Sequence, residues 1–361
     1  MKVVLVSPSY FPAIGGVETH VKMIAEEILA KEVDVSVYTL DYTAKFSATF
    51  EINGVPVTRF PSRRLTYGIE IPSRELSCML QNSDADIVHV HSLHTLLPYY
   101  TYRAISRTEK NLVLTTHYHG KGHTWTRNNL FRIYKPFLSR IVRAADKVIC
   151  VSEYEKKLVI EDFSIREDSI SVIPNGISMP LSKFAHQQFI RNPSKILYVG
   201  RLESYKNVDK LVKAIDLLDG FTLSIVGEGP DGPKISKAIN ELSLSDRIAL
   251  KGRISDEELL QEYATSKIFV MPSYHEAYGI AVADALSMGM CAIVSKSGAL
   301  SEFVESNYAY GIISPITPVK IAKAIIEVSR NETPNSSRYL PHTWTAAAEK
   351  VLTLYESTTT H

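Results

Sequence analysis

The chain has 361 residues, 45% of them apolar, and 40 Lys and Arg set against 39 Asp and Glu leave a net charge of +1. That is too long for one ordinary core, too apolar for intrinsic disorder and too balanced for a bulk nucleic-acid binder, so two globular domains are expected and nucleic acid is not an expected partner. Cys78, Cys150 and Cys291 are far apart, odd in number and outside any C-x-x-C, which suits a reduced, cytoplasmic setting with all three in the core.

Lys2 leads straight into the strand-like run "KVVLVS", with no signal-type apolar region, and no later run approaches membrane-spanning length. Next comes "SYFPAIGGVETHV", in which Gly15 and Gly16 precede a helical pattern. Such a βα turn leaves free N–H groups at the positive end of a helix dipole, a place suited to a phosphate, although a plain tight turn explains the same residues. The runs "VDVSVYTL", "DIVHVHS", "NLVLTTH", "KVICVS" and "SISVIPN" then alternate with helical patterns, as βαβ units on a parallel sheet do. After a polar stretch the alternation restarts with "KILYVG", "TLSIVG", "RIALKG", "KIFVMPS" and "CAIVSK". The expected architecture is α/β, two Rossmann-like doubly wound domains facing a central cleft: residues 1–175, a linker over 176–192, and residues 193–340. A last helix over 341–361, capped by Thr343, is expected to cross back to the first domain.

In such sheets, ligands bind beyond the carboxyl ends of the strands, so the residues just after each strand carry the functional reading. "VGEGPDGPKI" contains a literal G-x-G-x-x-G, but Pro230 and Pro233 stand where backbone donors would be wanted, and "ALKGR" offers no acid for a ribose. It reads as a helix-starting turn rather than a dinucleotide site. "YVGRLESYKN" places Arg201 and Lys206 in one loop, a fork and a point charge able to embrace a diphosphate, with solvated surface charge as the competing reading. In "PSYHEAYGIAVADALSMG", Glu276 and Asp284 are eight positions apart, so a mostly helical segment turns both carboxylates to one side to accept from sugar and ribose hydroxyls. Gly279 allows close approach, and the N–H groups of Gly279 and Ile280 are left for phosphate. "SKSGALSEFV" repeats the theme with the amides of Ala299, Leu300 and Ser301.

From "GGVETHV" through "TTHYHG", "VSEYEKKLV", "VIPNGI", "YVGRLESYKNVDKLV" and "VGEGP" to "HEAYGIAVADAL" and the final Trp-containing helix, the chain resembles the retaining family 4 glycosyltransferases of the GT-B fold. The resemblance implies that Gly16 lies near the donor phosphate, that Arg201 and Lys206 hold the diphosphate, that Glu276 grips the transferred sugar and that the carboxylate at 284 holds the ribose. It also implies donor-binding roles for Gly15, Arg253, Ala277, Tyr278, Gly279, Ile280 and Leu300, and it sets His117 near the reacting carbon as an orienting group. This chain departs from the family at Asp284, where the paired-glutamate motif ends in Glu, and at "GALSE", which keeps Glu302 but lacks the usual Pro.

The implied activity is metal-independent, retaining transfer of a hexose-type sugar from a UDP- or GDP-sugar to a glycan or lipid-linked acceptor, by front-face attack assisted by the departing phosphate and with no cofactor. Two other classes stay open at this stage, a non-catalytic nucleotide-sugar binder and a dinucleotide-dependent oxidoreductase. His89, His91, His117 and His119 come in i, i+2 pairs, but a metal would need them to converge, so hydrogen bonding or packing is expected and no metal. Between Lys121 and Lys147, seven cations face only Asp146 and are interleaved with apolar residues. This is either a membrane-surface helix, placing the protein at the inner face of an anionic membrane, or an ordinary domain helix.

Overall fold

The computed structural model describes residues 1–44, 47–65, 70–120, 125–178, 190–330 and 338–359, with side chains from residue 134 onward in the helix that begins at 125. The chain divides into two compact units, one made of Met1–Gly176 with His342–His361 and the other of Ile177–Pro341. Most of the expected linker, residues 179–189, lies outside the described residues.

In the first unit, β1 (Lys2–Ser7), β2 (Asp34–Asp41), β4 (Val55–Arg64), β6 (Ile87–His91), β7 (Asn111–Thr115), β8 (Lys147–Cys150) and β9 (Ile170–Val172) form a parallel sheet in the order 4-2-1-6-7-8-9. Two antiparallel strands, β3 (Ala48–Ile52) and β5 (Glu70–Pro72), flank β4 and are not among the runs that apolar patterning picks out. The link from β3 to β4 is Asn53-Gly54, both with positive φ (50° and 83°), the two-residue turn whose twist matches a hairpin. Successive residues of a strand face opposite ways, so Val4, Val6, Val88, Val90, Leu112 and Leu114 share one core. Leu5, His89, His91, Val113 and Thr115 are buried on the alternate positions.

Two helices of this unit pack together: α1 (Gly16–Ala30), and α12 (Trp344–Thr359), whose first turn is capped when Ala346 N–H donates to Thr343 Oγ1 at 3.1 Å. Trp344 fits against Gly176 so closely that a Cβ there would meet the Trp344 nitrogen at 2.3 Å. Tyr355 donates or accepts at His89 Nδ1 at 2.6 Å, which ties the last helix to β6. The helix α2 (Arg74–Asn82) corrects one expectation, because it buries Leu76 and Leu80, one turn apart, and thereby turns Cys78 outward. Cys150 and Cys291 are buried, as expected.

In the second unit, β10 (Asn192–Val199), β11 (Thr222–Val226), β12 (Ile248–Gly252), β13 (Ser266–Met271), β14 (Cys291–Ser295) and β15 (Ala309–Ile312) are all parallel, in the order 12-11-10-13-14-15. The central strands bury apolar residues on both sides. Ile196, Tyr198, Ile268, Val270 and Ile293 enter one core with α6 (Val208–Asp216), α7 (Gly232–Glu241) and α11 (Pro318–Arg330). Leu197, Phe269, Met271, Ala292 and Val294 enter the other with α9 (Ile280–Ser287) and α10 (Leu300–Glu305). Double-sided burial of this kind is what a sheet with helices on both faces requires.

Candidate functional site

In both sheets the chain winds outward from a central pair of strands, so the strand order reverses between β1 and β6 in one unit and between β10 and β13 in the other. Loops leaving neighbouring strands in opposite directions open a crevice at that point. In the second unit these are the loops 200–207 and 272–279.

The two loops are fastened to each other. Tyr274 N–H donates to Tyr205 O at 2.9 Å, and Asn207, held in the left-handed region at φ 56°, reaches Pro272 O with its side-chain amide at 2.8 Å. Between them Lys206, only 8% exposed, forms an ion pair with Glu276 and lies 5.2 Å from the centre of the Tyr205 ring. Arg201 stands further out, more than half exposed, paired with Glu203 at 3.0 Å. Both predicted cations therefore sit at the reversal point, and each already has a carboxylate, so a diphosphate would have to draw them from Glu203 and Glu276. Arg253 lies exposed just beyond β12, on the same edge of the sheet.

Glu276 and Asp284 do not share a helical face, because α9 begins only at Ile280 and leaves Glu276 in the loop. Asp284 is 4% exposed, and its carboxylate accepts from the Ser178 N–H at 2.6 Å. That bond makes Asp284, expected at the ribose, also an anchor for the start of this unit. Gly279 has φ 110°, and a Cβ would meet the Leu300 side chain at 2.7 Å, so backbone strain and internal packing account for the glycine without a ligand. Leu300 itself is fully buried. The amides proposed at 299–301 are largely committed, since Ala299 N–H donates to Glu276 O at 3.2 Å and Ser301 N–H to Gly298 O at 3.1 Å. In the first turn of α9, Val282 and Ala283 N–H turn back to Gly279 O at 2.9 and 3.1 Å, and the amides ahead of them, at Ile280 and Ala281, come too early in the helix for an acceptor of its own. Ala277 lies beside Glu276 in the same loop. The Tyr278 ring packs on Phe303 with centroids 6.0 Å apart, and burial, together with hydrogen bonding to Tyr339, holds its hydroxyl protonated well above the usual range.

The G-x-G-x-x-G run is explained without a ligand. A Cβ on Gly227 would meet Gly200 O at 2.1 Å, and one on Gly229 would meet Leu202 O at 2.4 Å. Two loops cross there at backbone contact, joined by Leu202 N–H to Glu228 O at 3.0 Å and Asp231 N–H to Leu202 O at 2.9 Å.

In the first unit, Gly15 caps α1 in an extended conformation, while Glu18 in the first turn accepts from Ser9 Oγ. A Cβ at Gly16 would meet nothing within 4 Å, so internal packing does not demand that glycine. His117, buried and at φ 44°, follows β7. Sequence reasoning missed what holds it there. The wholly buried Glu155 of α5 (Glu153–Phe163) accepts from Thr116 Oγ1 and Tyr118 N–H on either side of His117, and from Val151 N–H at 2.6 Å. The Ser152-x-x-Glu155 capping spacing was a legible signal of a helix start, and Ser152 does cap Glu155 N–H at 3.1 Å, but the acid's long-range partners leave no trace in local sequence.

The histidines also differ from expectation. His91 and His117 do converge, but their third neighbour is His20 of α1, with a ring nitrogen of each within 4.8 Å of the others. His119 instead stacks on His94 at 4.0 Å, and His89 bonds Thr115 Oγ1 at 2.7 Å. Of the basic stretch, residues 121–133 lie outside the described side chains. In the described part of α4 (Trp125–Ala144), Leu138, Ile141 and Val142 are core, Lys135 pairs with Asp162, and Arg143 donates to Phe163 O at 3.0 Å. Phe137 is exposed. No helix among the described residues is long and apolar enough to cross a membrane.

The sequence pattern described as Glycosyltransferase Family 4 matches residues 14–179, and the one described as Glycosyl transferases group 1 matches residues 182–351. A GDP-mannose:cellobiosyl-diphosphopolyprenol alpha-mannosyltransferase of Xanthomonas oryzae pv. oryzae is 30% identical over 313 residues, 82% of this chain and 78% of that protein. A phosphatidylinositol N-acetylglucosaminyltransferase component from Arabidopsis thaliana is 22% identical across 90% of this chain and 73% of its own length. Among solved structures, sucrose-phosphate synthase from Thermosynechococcus elongatus superposes with a TM-score of 0.74 at 20% identity, covering 100% of this chain and 97% of that one. A pneumococcal O-GlcNAc transferase in complex with UDP and GlcNAc gives 0.72 at 12% identity, with 99% of each chain covered.

Proposed function

The chain belongs to the family 4 glycosyltransferases of the GT-B fold, and on that premise we propose that it moves a hexose-type sugar, with retention, from a UDP- or GDP-sugar to a glycan or lipid-linked acceptor hydroxyl. The observation that carries this reading is the Lys206–Glu276 pair at the strand-order reversal of the second unit. A cation and a carboxylate in contact there suit a sugar diphosphate, whose phosphate takes the cation and whose sugar hydroxyls donate to the acid. Charge building on the leaving diphosphate is met by Lys206, by Arg201 and by the first amides of α9, preorganised donors of the kind that dominate such steps. His117, neutral because burial pushes its pKa well below the usual range, orients the sugar by hydrogen bonding and is not a nucleophile. No side chain is assigned as a covalent nucleophile, and the acceptor attacks from the face the diphosphate leaves.

The donor's nucleotide is left as a pair because the mannosyltransferase relative is named for GDP-mannose and a solved neighbour is held with UDP. The diphosphopolyprenol in that relative's name favours a lipid-linked acceptor, and with it a peripheral place at the cytoplasmic face of a membrane. The contact made by α4 is weak, since its described apolar residues are core and two of its cations have partners within the unit. We further propose that no Mg²⁺ or Mn²⁺ is needed, Arg201 and Lys206 taking the place such ions fill on a diphosphate. Incubation with radiolabelled UDP- and GDP-sugars in excess EDTA tests the reading: labelled product or free sugar is expected. Binding without turnover would instead favour a non-catalytic sensor, and activity restored only by Mg²⁺ or Mn²⁺ would refute metal independence.

A further inference from the structure

The first unit holds three imidazoles that hydrogen bonding does not account for. His20, His91 and His117 are buried, and among the described residues His20 Nε2, both ring nitrogens of His91 and His117 Nε2 have no hydrogen-bond partner. Buried polar atoms of this kind are rare, and each calls for an explanation. Three elements deliver them: the second turn of α1, the last residue of β6 and the residue after the Thr115–Thr116 corner of β7. The rings are packed rather than splayed, with centroids 4.7 Å apart for His20 and His117, 5.4 Å for His20 and His91, and 5.7 Å for His91 and His117.

We propose that His20, His91 and His117 form a three-nitrogen site for a borderline divalent transition cation of the Zn²⁺ or Co²⁺ class. The donor set is all imidazole, which suits such ions and not Mg²⁺, Ca²⁺ or Mn²⁺, so the site is compatible with the metal-free transfer proposed above. His20 Nδ1 lies 2.7 Å from Asn175 Oδ1, so its proton points to the amide oxygen and Nε2 is left with its lone pair. That is the arrangement in which an outer partner orients a metal-ligating imidazole. Burial also keeps the rings in the neutral, ligating form, with the pKa of His20 lowered to about 4. The ligand atoms lie within 4.8 Å of one another, to be compared with the roughly 3.3 Å between nitrogens that tetrahedral Zn–N bonds of about 2.0–2.1 Å set. Three protein ligands leave a fourth position for water or an added ligand. A bound ion would fix His117, and in that one respect the inference rests on the transferase reading: such an ion should inhibit transfer.

The experiment uses the full chain stripped of metal and titrated with Co²⁺. The intense visible ligand-field absorption of four-coordinate Co²⁺ is expected to saturate at one equivalent and to be displaced by Zn²⁺, and Zn²⁺ should raise the melting temperature while Mg²⁺ does not. His91→Ala should abolish the absorption. Asn175→Ala, which leaves all three ligands in place and merely frees the His20 ring, should weaken Co²⁺ binding about 10- to 100-fold. If His91→Ala does not fold, His20→Gln and the Asn175 variant carry the test. No Co²⁺ spectrum and no Zn²⁺ stabilisation in the wild type would overturn the site and leave three imidazoles sharing a water, as would undiminished binding in the variants. These readouts need no transfer activity, so they stand or fall apart from the function. In a transfer assay, micromolar Zn²⁺ should inhibit the wild type and spare His91→Ala.

Discussion

The same strand-order reversal occurs twice in this chain, and its two crevices carry opposite chemistry. In the second unit the loops present ions: Arg201 with Glu203, Lys206 with Glu276, and Arg253 near the same edge. In the first unit no cation is described at the corresponding positions, where Gly16 stands ahead of α1 and a buried set of imidazoles lies at the ends of β6 and β7. One topology thus carries a cradle of ion pairs in one unit and a cluster of buried imidazoles in the other. The fold provides the place, and the residues after the strands decide what is held there.

The largest effect that would sharpen this contrast is expected at Glu276. Glu276→Gln keeps the shape but loses the charge that pairs with Lys206, and kcat should fall by about 10²- to 10³-fold, the scale of losing one preorganised contact to developing charge. A change confined to donor KM would instead make Glu276 a simple binding group.

Glu155→Gln tests the His117 corner of the first unit. The amide can accept on one atom only, so one of the N–H and O–H donors now shared by Glu155 loses its acceptor, at a cost of about 1–3 kcal/mol. The melting temperature should drop, and kcat should fall with little change in donor KM, because His117 loses its fixed backbone. Unchanged kcat would mean that the His117 corner needs no such clamp.

Asp284→Glu comes next. A ribose contact would tolerate the longer acid and bind donor more tightly. The buried bond to Ser178 predicts the reverse, an overpacked site destabilised by about 1–3 kcal/mol with donor KM unchanged or raised. Thermal melts and donor titration separate the two. The smallest effect is expected at the exposed end of α4, where Arg140→Gln should weaken flotation with anionic vesicles by a few-fold, each surface cation contributing on the order of 1 kcal/mol. Loss of all binding would show the helix to be a dedicated membrane anchor.

Much of this molecule was legible in the sequence because short β-branched runs alternate with helical patterns, and eleven such runs each correspond to a strand. The strands missed, β3, β4, β5 and β15, are runs that are short or interrupted by polar residues, Pro or Gly, although Asn53-Gly54 was a hairpin signal in plain view. The charged site was legible for the same reason, as Arg201, Lys206 and Glu276 follow strands in the sequence and so lie at strand ends in space. What spacing could not show was which residues meet across the fold. Gly279 faces Leu300, Asp284 reaches back to Ser178, and His20 joins His91 and His117 from a different element altogether. Each of those contacts spans a long stretch of chain, and no local pattern encodes it.

The central claim is that the charged reversal point holds the donor diphosphate, and donor turnover by Lys206→Ala tests it most directly. Removing Lys206 leaves Glu276 without its buried partner, so a loss of roughly 1–3 kcal/mol in stability is expected and must be measured alongside. At a temperature where the variant is fully folded, sugar transfer from the radiolabelled nucleotide donor should fall by about 2.7–4 kcal/mol in transition-state stabilisation, with Arg201→Ala showing a loss in the same direction at little cost in stability. Near-normal turnover in a folded Lys206→Ala protein would contradict the account and reduce the pair to a structural ion bridge between two loops.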